Sequence, residues 1–168
     1  MTRTHVLKYD GGSFTSEIGS RKQIDYFART LRLFNGEKPW ALTLVPLHGR
    51  DYGEMLRANE EATEFLQAGG SADAMTIEIR RPGGRQWGVE SVWGVVGHSV
   101  NGTGPLDVPI KLPHSTQMIS KSEVFDADEA ADLFFAYYQT GEIPSTYTLR
   151  PVNGWTADNV RVDLRQEV

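Results

Sequence analysis

The segment 75-MTIEIRRPGGRQWGVESVWGVV-96 decides the fold, because it has the pattern of a β-hairpin. Apolar Met75, Ile77 and Ile79 alternate with polar residues, as on a strand with one buried face. Pro82-Gly83-Gly84 is typical of a turn, after which residues 87–96 run back as a second strand. Since the second strand is apolar on much of both faces, we expect it to lie inside an antiparallel sheet.

Three further segments have the apolar spacing of helices. A capping box of Ser20 and Gln23 precedes the first, over residues 24–34. The second is predicted over residues 54–67, and the third follows Asp126 and Glu129 as a second capping box and ends at Gly141.

The remaining short apolar runs predict strands, which are listed here by residue number: 6–9, 40–45, 108–112, 116–120, 147–152 and 160–164. Strands and helices do not alternate as they do in parallel sheets. We therefore predict an α+β fold, with an antiparallel sheet of about five to six strands and two or three helices packed on one face. Residues 1–152 are expected to form a single domain, and residues 153–168 an edge strand or a tail.

Composition excludes several functional classes. The 168 residues contain no cysteine, which excludes disulfides, thiol catalysis and cysteine-ligated metal centres. The four histidines have no metal-ligand spacing, so neither a metal nor another cofactor is expected. A formal charge of −5 argues against binding to nucleic acid or to an anionic membrane. With no signal-like segment at the N-terminus, we predict a cytoplasmic protein.

The negative charge is concentrated in two blocks. Residues 51–79 contain seven acidic residues and one basic residue, and residues 122–149 contain six acidic residues and no basic one. Each block includes a predicted helix with its acids on the outer face. The helix dipole explains acids in a first turn, but not the rest. We therefore predict a binding surface for a basic protein, made by these carboxylates: Glu60, Glu61, Glu64, Asp128 and Asp132.

Two tryptophans are further candidates for binding. Trp87 and Trp93 lie six residues apart in the second strand of the hairpin, so we expect both on one face. On an exposed face they would anchor a partner. The alternative is a small binding module for a ligand or peptide, with no basic protein partner, whose pocket these tryptophans form with Tyr137 or Tyr138.

A hydrolase built on His98 and Ser99 is a weaker alternative. The stretch Gly97-His98-Ser99-Val100-Asn101 has asparagine where a nucleophile elbow needs its second glycine, and no helix pattern follows. A turn explains these residues better.

Residues 122–144 resemble an immunity-protein family of bacterial polymorphic toxin systems, of the type associated with deaminase toxins. They read SEVFDADEAADLFFAYYQTGEIP, a strand leading into a capped acidic helix that ends in aromatic residues and a glycine-to-proline exit. The resemblance implies an inhibitor that is not an enzyme and that blocks the active site of a cognate toxin. Such toxins act on nucleic acids and so have basic sites, which an acidic inhibitor would complement. We expect a monomer or a weak homodimer.

Overall fold

The predicted hairpin lies at the centre of an eight-stranded antiparallel sheet. The computed structural model describes residues 2–99 and 104–165. The strands are, in chain order, β1 (His5–Tyr9), β2 (Phe14–Ile18), β3 (Ala41–Pro46), β4 (Phe65–Ser71), β5 (Ala74–Gly84), β6 (Val89–Gly97), β7 (Val108–Leu112), β8 (Ser115–Ile119), β9 (Thr148–Trp155) and β10 (Arg161–Asp163). The sheet order is β10-β9-β6-β5-β4-β3-β1-β2, and β7 and β8 form a separate hairpin.

The main core lies between this sheet and two of the helices. The helices are α1 (Ile24–Leu31), α2 (Tyr52–Arg57) and α3 (Ala127–Thr140). Helix α3 places Phe134 and Tyr137 in one apolar cluster with Leu42, Leu66 and Ile77 of the central strands, and α1 joins the same cluster. We call this side of the sheet the helix face.

On the opposite side of the sheet, here called the second face, two smaller apolar clusters cover parts of the sheet. Val6 and Val45 alternate with residues of the main core and pack instead against Met55 of α2. Further along the sheet, the β7–β8 hairpin packs Ile110 and Ile119 against Val95 of β6. Polar side chains occupy the second face between these two clusters.

These observations confirm the α+β class and the antiparallel sheet, although the strands outnumber the predicted five to six. The hairpin of residues 75–96 is present as β5 and β6 in antiparallel register, with Glu78 opposite Val95. Its turn lies at residues 85–88, whereas the predicted turn residues 82–84 are the last residues of β5. After residue 152, β9 continues to Trp155 and β10 is hydrogen-bonded to it. No helix in the described part of the chain is both long enough and apolar enough to cross a membrane.

The prediction of a second helix over residues 54–67 is wrong. Helix α2 begins after Asp51, whose side chain caps it by accepting a hydrogen bond from Glu54 N. It ends at Arg57, and Asn59 has a φ of 56°, in the left-handed region that terminates helices. Residues 58–64 are irregular, and Phe65 begins β4.

The capping boxes also differ from prediction. At α1, Gln23 is the N-cap residue and makes no side-chain cap bond. At α3, Asp126 accepts from Glu129 N at 2.9 Å as predicted. The Glu129 side chain, however, does not return to the N-cap, because it bonds to residues on other elements.

Candidate functional site

Helix α3 presents two of the predicted binding residues to solvent. Asp128 and Asp132 are exposed, and the side chain of Asp128 is 74% exposed although Arg32, the C-cap residue of α1, binds it at 2.9 Å. Asp128 also borders a recess of about 390 Å³ between α1, α3 and the β4–β5 turn, together with Asp73 and Asp126. Three carboxylates and one guanidinium therefore surround this opening, which leaves it acidic. We call Asp73, Asp126, Asp128 and Asp132 the α3 acidic surface.

The other predicted acids lie in the irregular segment after α2. Glu60 forms an ion pair with Arg50 at 2.6 Å, and Glu64 binds His48 at 2.7 Å. Glu61 is exposed. Arg50 therefore neutralises Glu60, and Glu64, which has no base after it in the predicted helix, is hydrogen-bonded to His48.

The two acidic sets do not form one surface. The segment containing Glu60 and Glu64 carries Ala62, which packs with Val45 on the second face. Helix α3, with Asp128 and Asp132, packs on the helix face. A partner that contacts both sets would have to reach around the sheet.

The two tryptophans are also separated, so the prediction that they share a strand face is wrong. Trp87 lies in a single 3₁₀ turn between β5 and β6, beside Leu149 and Pro151 in a groove of about 440 Å³. Trp93 lies on β6, half-buried on the second face. Tyr137 and Tyr138 are buried in the main core, so the structure does not bring these four aromatic residues into one pocket.

The structure reveals a polar network on the second face, centred on Glu78 of β5. This carboxylate is only 9% exposed. One oxygen accepts from Gln67 Nε2 at 3.1 Å and Trp93 Nε1 at 3.0 Å, and the other accepts from Gln117 Nε2 at 2.7 Å. Thr43 Oγ1 in turn donates to Gln67 Oε1 at 3.3 Å, which orients that amide. All three donors to Glu78 are neutral.

A cavity of about 100 Å³ adjoins this network. Its wall includes Glu78, Gln67 and Gln117, the ring of Trp40 and the hydroxyl-bearing Thr76. The Thr76 side-chain oxygen is buried and has no hydrogen-bond partner in the described structure. Exposed Gly11 also lines the cavity, which places one side of it at the protein surface.

Arg80 lies two residues beyond Glu78 on the same face of β5, yet it makes no ion pair within the described ranges. Its guanidinium instead stacks over the ring of Trp155, 3.5 Å from the ring centre. Burial lowers the pKa of Arg80, against an opposing effect from the charge of Glu61. The base nearest in sequence to Glu78 is thus engaged elsewhere.

A second network joins the end of β6 to α3. Nδ1 of His98 lies 2.7 Å from the Ser122 carbonyl oxygen and Nε2 lies 2.8 Å from a Glu129 carboxylate oxygen, so two acceptors face the ring and favour its doubly protonated form. Tyr147 donates to the same carboxylate at 2.8 Å. Burial, the largest single effect, lowers the pKa of His98, but the hydrogen bonds to Glu129 and Ser122 and the charges of Glu129 and Asp126 together raise it.

This arrangement explains His98 without assigning it to a hydrolase. The imidazole is held between a carbonyl and a carboxylate and stacks on Phe125, with ring centres 4.5 Å apart. Ser99, the second residue of the predicted hydrolase pair, is exposed. Val100 and Asn101 of the same motif lie outside the described residues. Among the residues the structure describes, no group of three or more histidine or acidic side chains is placed to hold a metal ion.

Comparison of the chain with protein-family models, curated proteins and solved structures gives no match.

Proposed function

We propose that this protein is an immunity protein, which binds a cognate toxin and blocks its active site. The observation that supports this most is the α3 acidic surface, which combines an acidic recess with two exposed carboxylates on one helix. A toxin that acts on nucleic acid carries basic groups around its active site. Binding to that site requires a surface of the opposite sign, and α3 offers one.

The role of the acids is electrostatic steering. Exposed carboxylates on an interface rim raise the association rate by attracting a basic partner, and salt screens this effect over about 8–10 Å. Asp126 and the first-turn position of Asp128 also stabilise the helix itself. Asp132 lies deeper in the helix, where no capping role accounts for it.

Co-expression with the protein encoded upstream of it, as the candidate toxin, tests the proposal. We expect protection of the host cell and co-purification of a stoichiometric complex. Absence of both protection and complex would overturn it. Inactivation of the toxin by a covalent modification that this protein catalyses, without a stable complex, would also contradict the proposal.

Charge reversal then locates the surface. Asp128→Lys with Asp132→Lys should lower the association rate by at least ten-fold at low salt, with a smaller loss at high salt. Glu60→Lys with Glu64→Lys tests the second face, and Asp158→Lys, in the exposed β9–β10 turn, is the control for charge alone. If all three changes act equally, steering by α3 is wrong even though binding is real.

A further inference from the structure

The cavity beside Glu78 has the chemistry of a cation site. A carboxylate is expensive to bury unless an opposite charge or several hydrogen bonds compensate it. Glu78 is nine-tenths buried and receives three hydrogen bonds from neutral donors, but no ion pair from the described residues. The hydrogen bonds therefore solvate this carboxylate, but no described cation is paired with it.

A second, independent observation points to a ligand. Thr76 is 4% exposed, and its hydroxyl has no partner although it lines the same cavity. A buried hydroxyl without a hydrogen bond costs about 1–3 kcal/mol. A group in the cavity that donates hydrogen bonds would satisfy Thr76 and Glu78 together.

The wall of the cavity selects the type of cation. A metal ion needs several oxygen or nitrogen ligands, whereas Glu78 is the only charged side chain among the described residues of the wall. An organic cation needs one carboxylate, hydroxyl acceptors and an aromatic surface, and here these are Glu78, Thr76 and the Trp40 ring. About 100 Å³ is room for a charged nitrogen and a short stem, since one water needs only about 10–15 Å³ of such space.

We propose that this cavity binds an alkylammonium or alkylguanidinium group, with Glu78 as its counter-ion, Thr76 as a hydrogen-bond partner and Trp40 as its aromatic wall. This chemistry occurs both in free amines and in the lysine or arginine side chain of a protein. The site lies on the second face, away from α3, so the inference does not depend on the proposed toxin partner.

The tryptophan indole signals in a ¹H–¹⁵N NMR spectrum report on the site directly. Trp93 donates to Glu78 and Trp40 lines the cavity, whereas Trp87 and Trp155 lie elsewhere and serve as internal controls. With n-butylammonium or n-butylguanidinium we expect saturable shifts of the first pair only. Uncharged n-butanol should give none. The proposal would be overturned if neither cation gave a saturable shift of the Trp93 and Trp40 indole signals.

Variants provide the matched tests. Glu78→Gln keeps the side-chain shape and should weaken binding at least ten-fold, while Glu90→Gln, exposed on β6, should bind as wild type. Thr76→Val removes the unpartnered hydroxyl and should weaken binding without loss of fold, so it tests the site even if Glu78→Gln fails to fold. Wild-type affinity in both Glu78→Gln and Thr76→Val would refute the assignment.

A peptide with one central lysine distinguishes the two sources of the cation. Tighter binding of the peptide than of n-butylammonium assigns the site to a protein side chain. Binding of n-butylammonium at least as tight assigns it to a free amine. Failure of toxin binding in the co-expression experiment leaves these NMR outcomes unchanged, so the two proposals fail separately.

Discussion

For two adjacent tyrosines of α3, replacement by phenylalanine is expected to change the free energy of unfolding in opposite directions. Tyr137 and Tyr138 are both buried in the main core. The Tyr138 hydroxyl donates to the Gly19 carbonyl and accepts from Lys22 N at 3.1 Å. The Tyr137 hydroxyl has no hydrogen-bond partner among the described residues. Consistent with this, burial raises the pKa of Tyr137 above its ordinary range.

The expected free energies follow from this difference. An unpaired buried hydroxyl costs about 1–3 kcal/mol, whereas a paired one contributes about 1 kcal/mol. Tyr137→Phe removes the unpaired group and keeps the ring, so the free energy of unfolding should rise by about 1 kcal/mol. Tyr138→Phe leaves the Gly19 carbonyl and the Lys22 N–H without their partner, so the free energy of unfolding should fall by about 1–2 kcal/mol.

Urea unfolding followed by circular dichroism measures both changes. A shift of the midpoint at constant m value isolates stability from changes in the unfolded state. In thermal unfolding, 1 kcal/mol corresponds to about 2–4 °C for a domain of this size. A loss of stability in Tyr137→Phe as large as that in Tyr138→Phe would refute the reasoning, because it would show that the Tyr137 hydroxyl is well bonded.

Other predictions concern the ion pairs and the strand packing. Arg150→Met leaves the Glu123 carboxylate, whose side chain is 3% exposed, without its partner at 2.8 Å, so urea unfolding should show a loss of about 3 kcal/mol. Because the pKa of His98 is raised, its stabilising contribution is fully present below pH 6.5, the ordinary value, and is lost as pH rises through the folded pKa. Glu129→Gln should flatten this part of the pH dependence of the urea midpoint, and an unchanged profile would contradict the assignment. Gly94→Ala should destabilise by about 1–3 kcal/mol in the same assay, because its Cβ would lie 2.6 Å from the Arg150 carbonyl oxygen.

Much of the sheet was predictable because strand alternation is a local signal. Residues 75–79 alternate, and the structure puts Met75, Ile77 and Ile79 in the main core and Thr76 and Glu78 on the second face. Helix α3 was predictable for the same reason, since Asp126 and Gly141 mark its ends. The order of the strands was not predictable from local signals, because β6 pairs with β9 across more than fifty residues of sequence.

The false second helix shows where periodicity fails. Met55, Ala62 and Phe65 do pack in one cluster, as a helical stripe would require. They reach it from three different structures, namely α2, the irregular segment and β4. Asn59, in the left-handed region, was the local signal that separated helix from strand.

The cavity on the second face was not predictable from the sequence. Glu78 alternates with apolar residues, and this pattern favours a solvated side chain. It is buried because Gln67, Trp93 and Gln117 converge on it from separations of 11, 15 and 39 residues. Only the register of β4, β5 and β6, together with the position of the β7–β8 hairpin, brings these donors together.

The structure also reduces the number of acidic residues in the second acidic block that argue for a basic partner. Of the acids in residues 122–149, Asp126 caps α3, Glu129 binds His98 and Tyr147, and Glu123 binds Arg150. Asp128 is paired with Arg32 in part, and Asp132 makes no hydrogen bond or ion pair with the residues described. Internal contacts thus explain most of the block. The case for a basic partner therefore depends on exposed Asp132 and on the recess beside Asp128, which stays 74% exposed despite its ion pair.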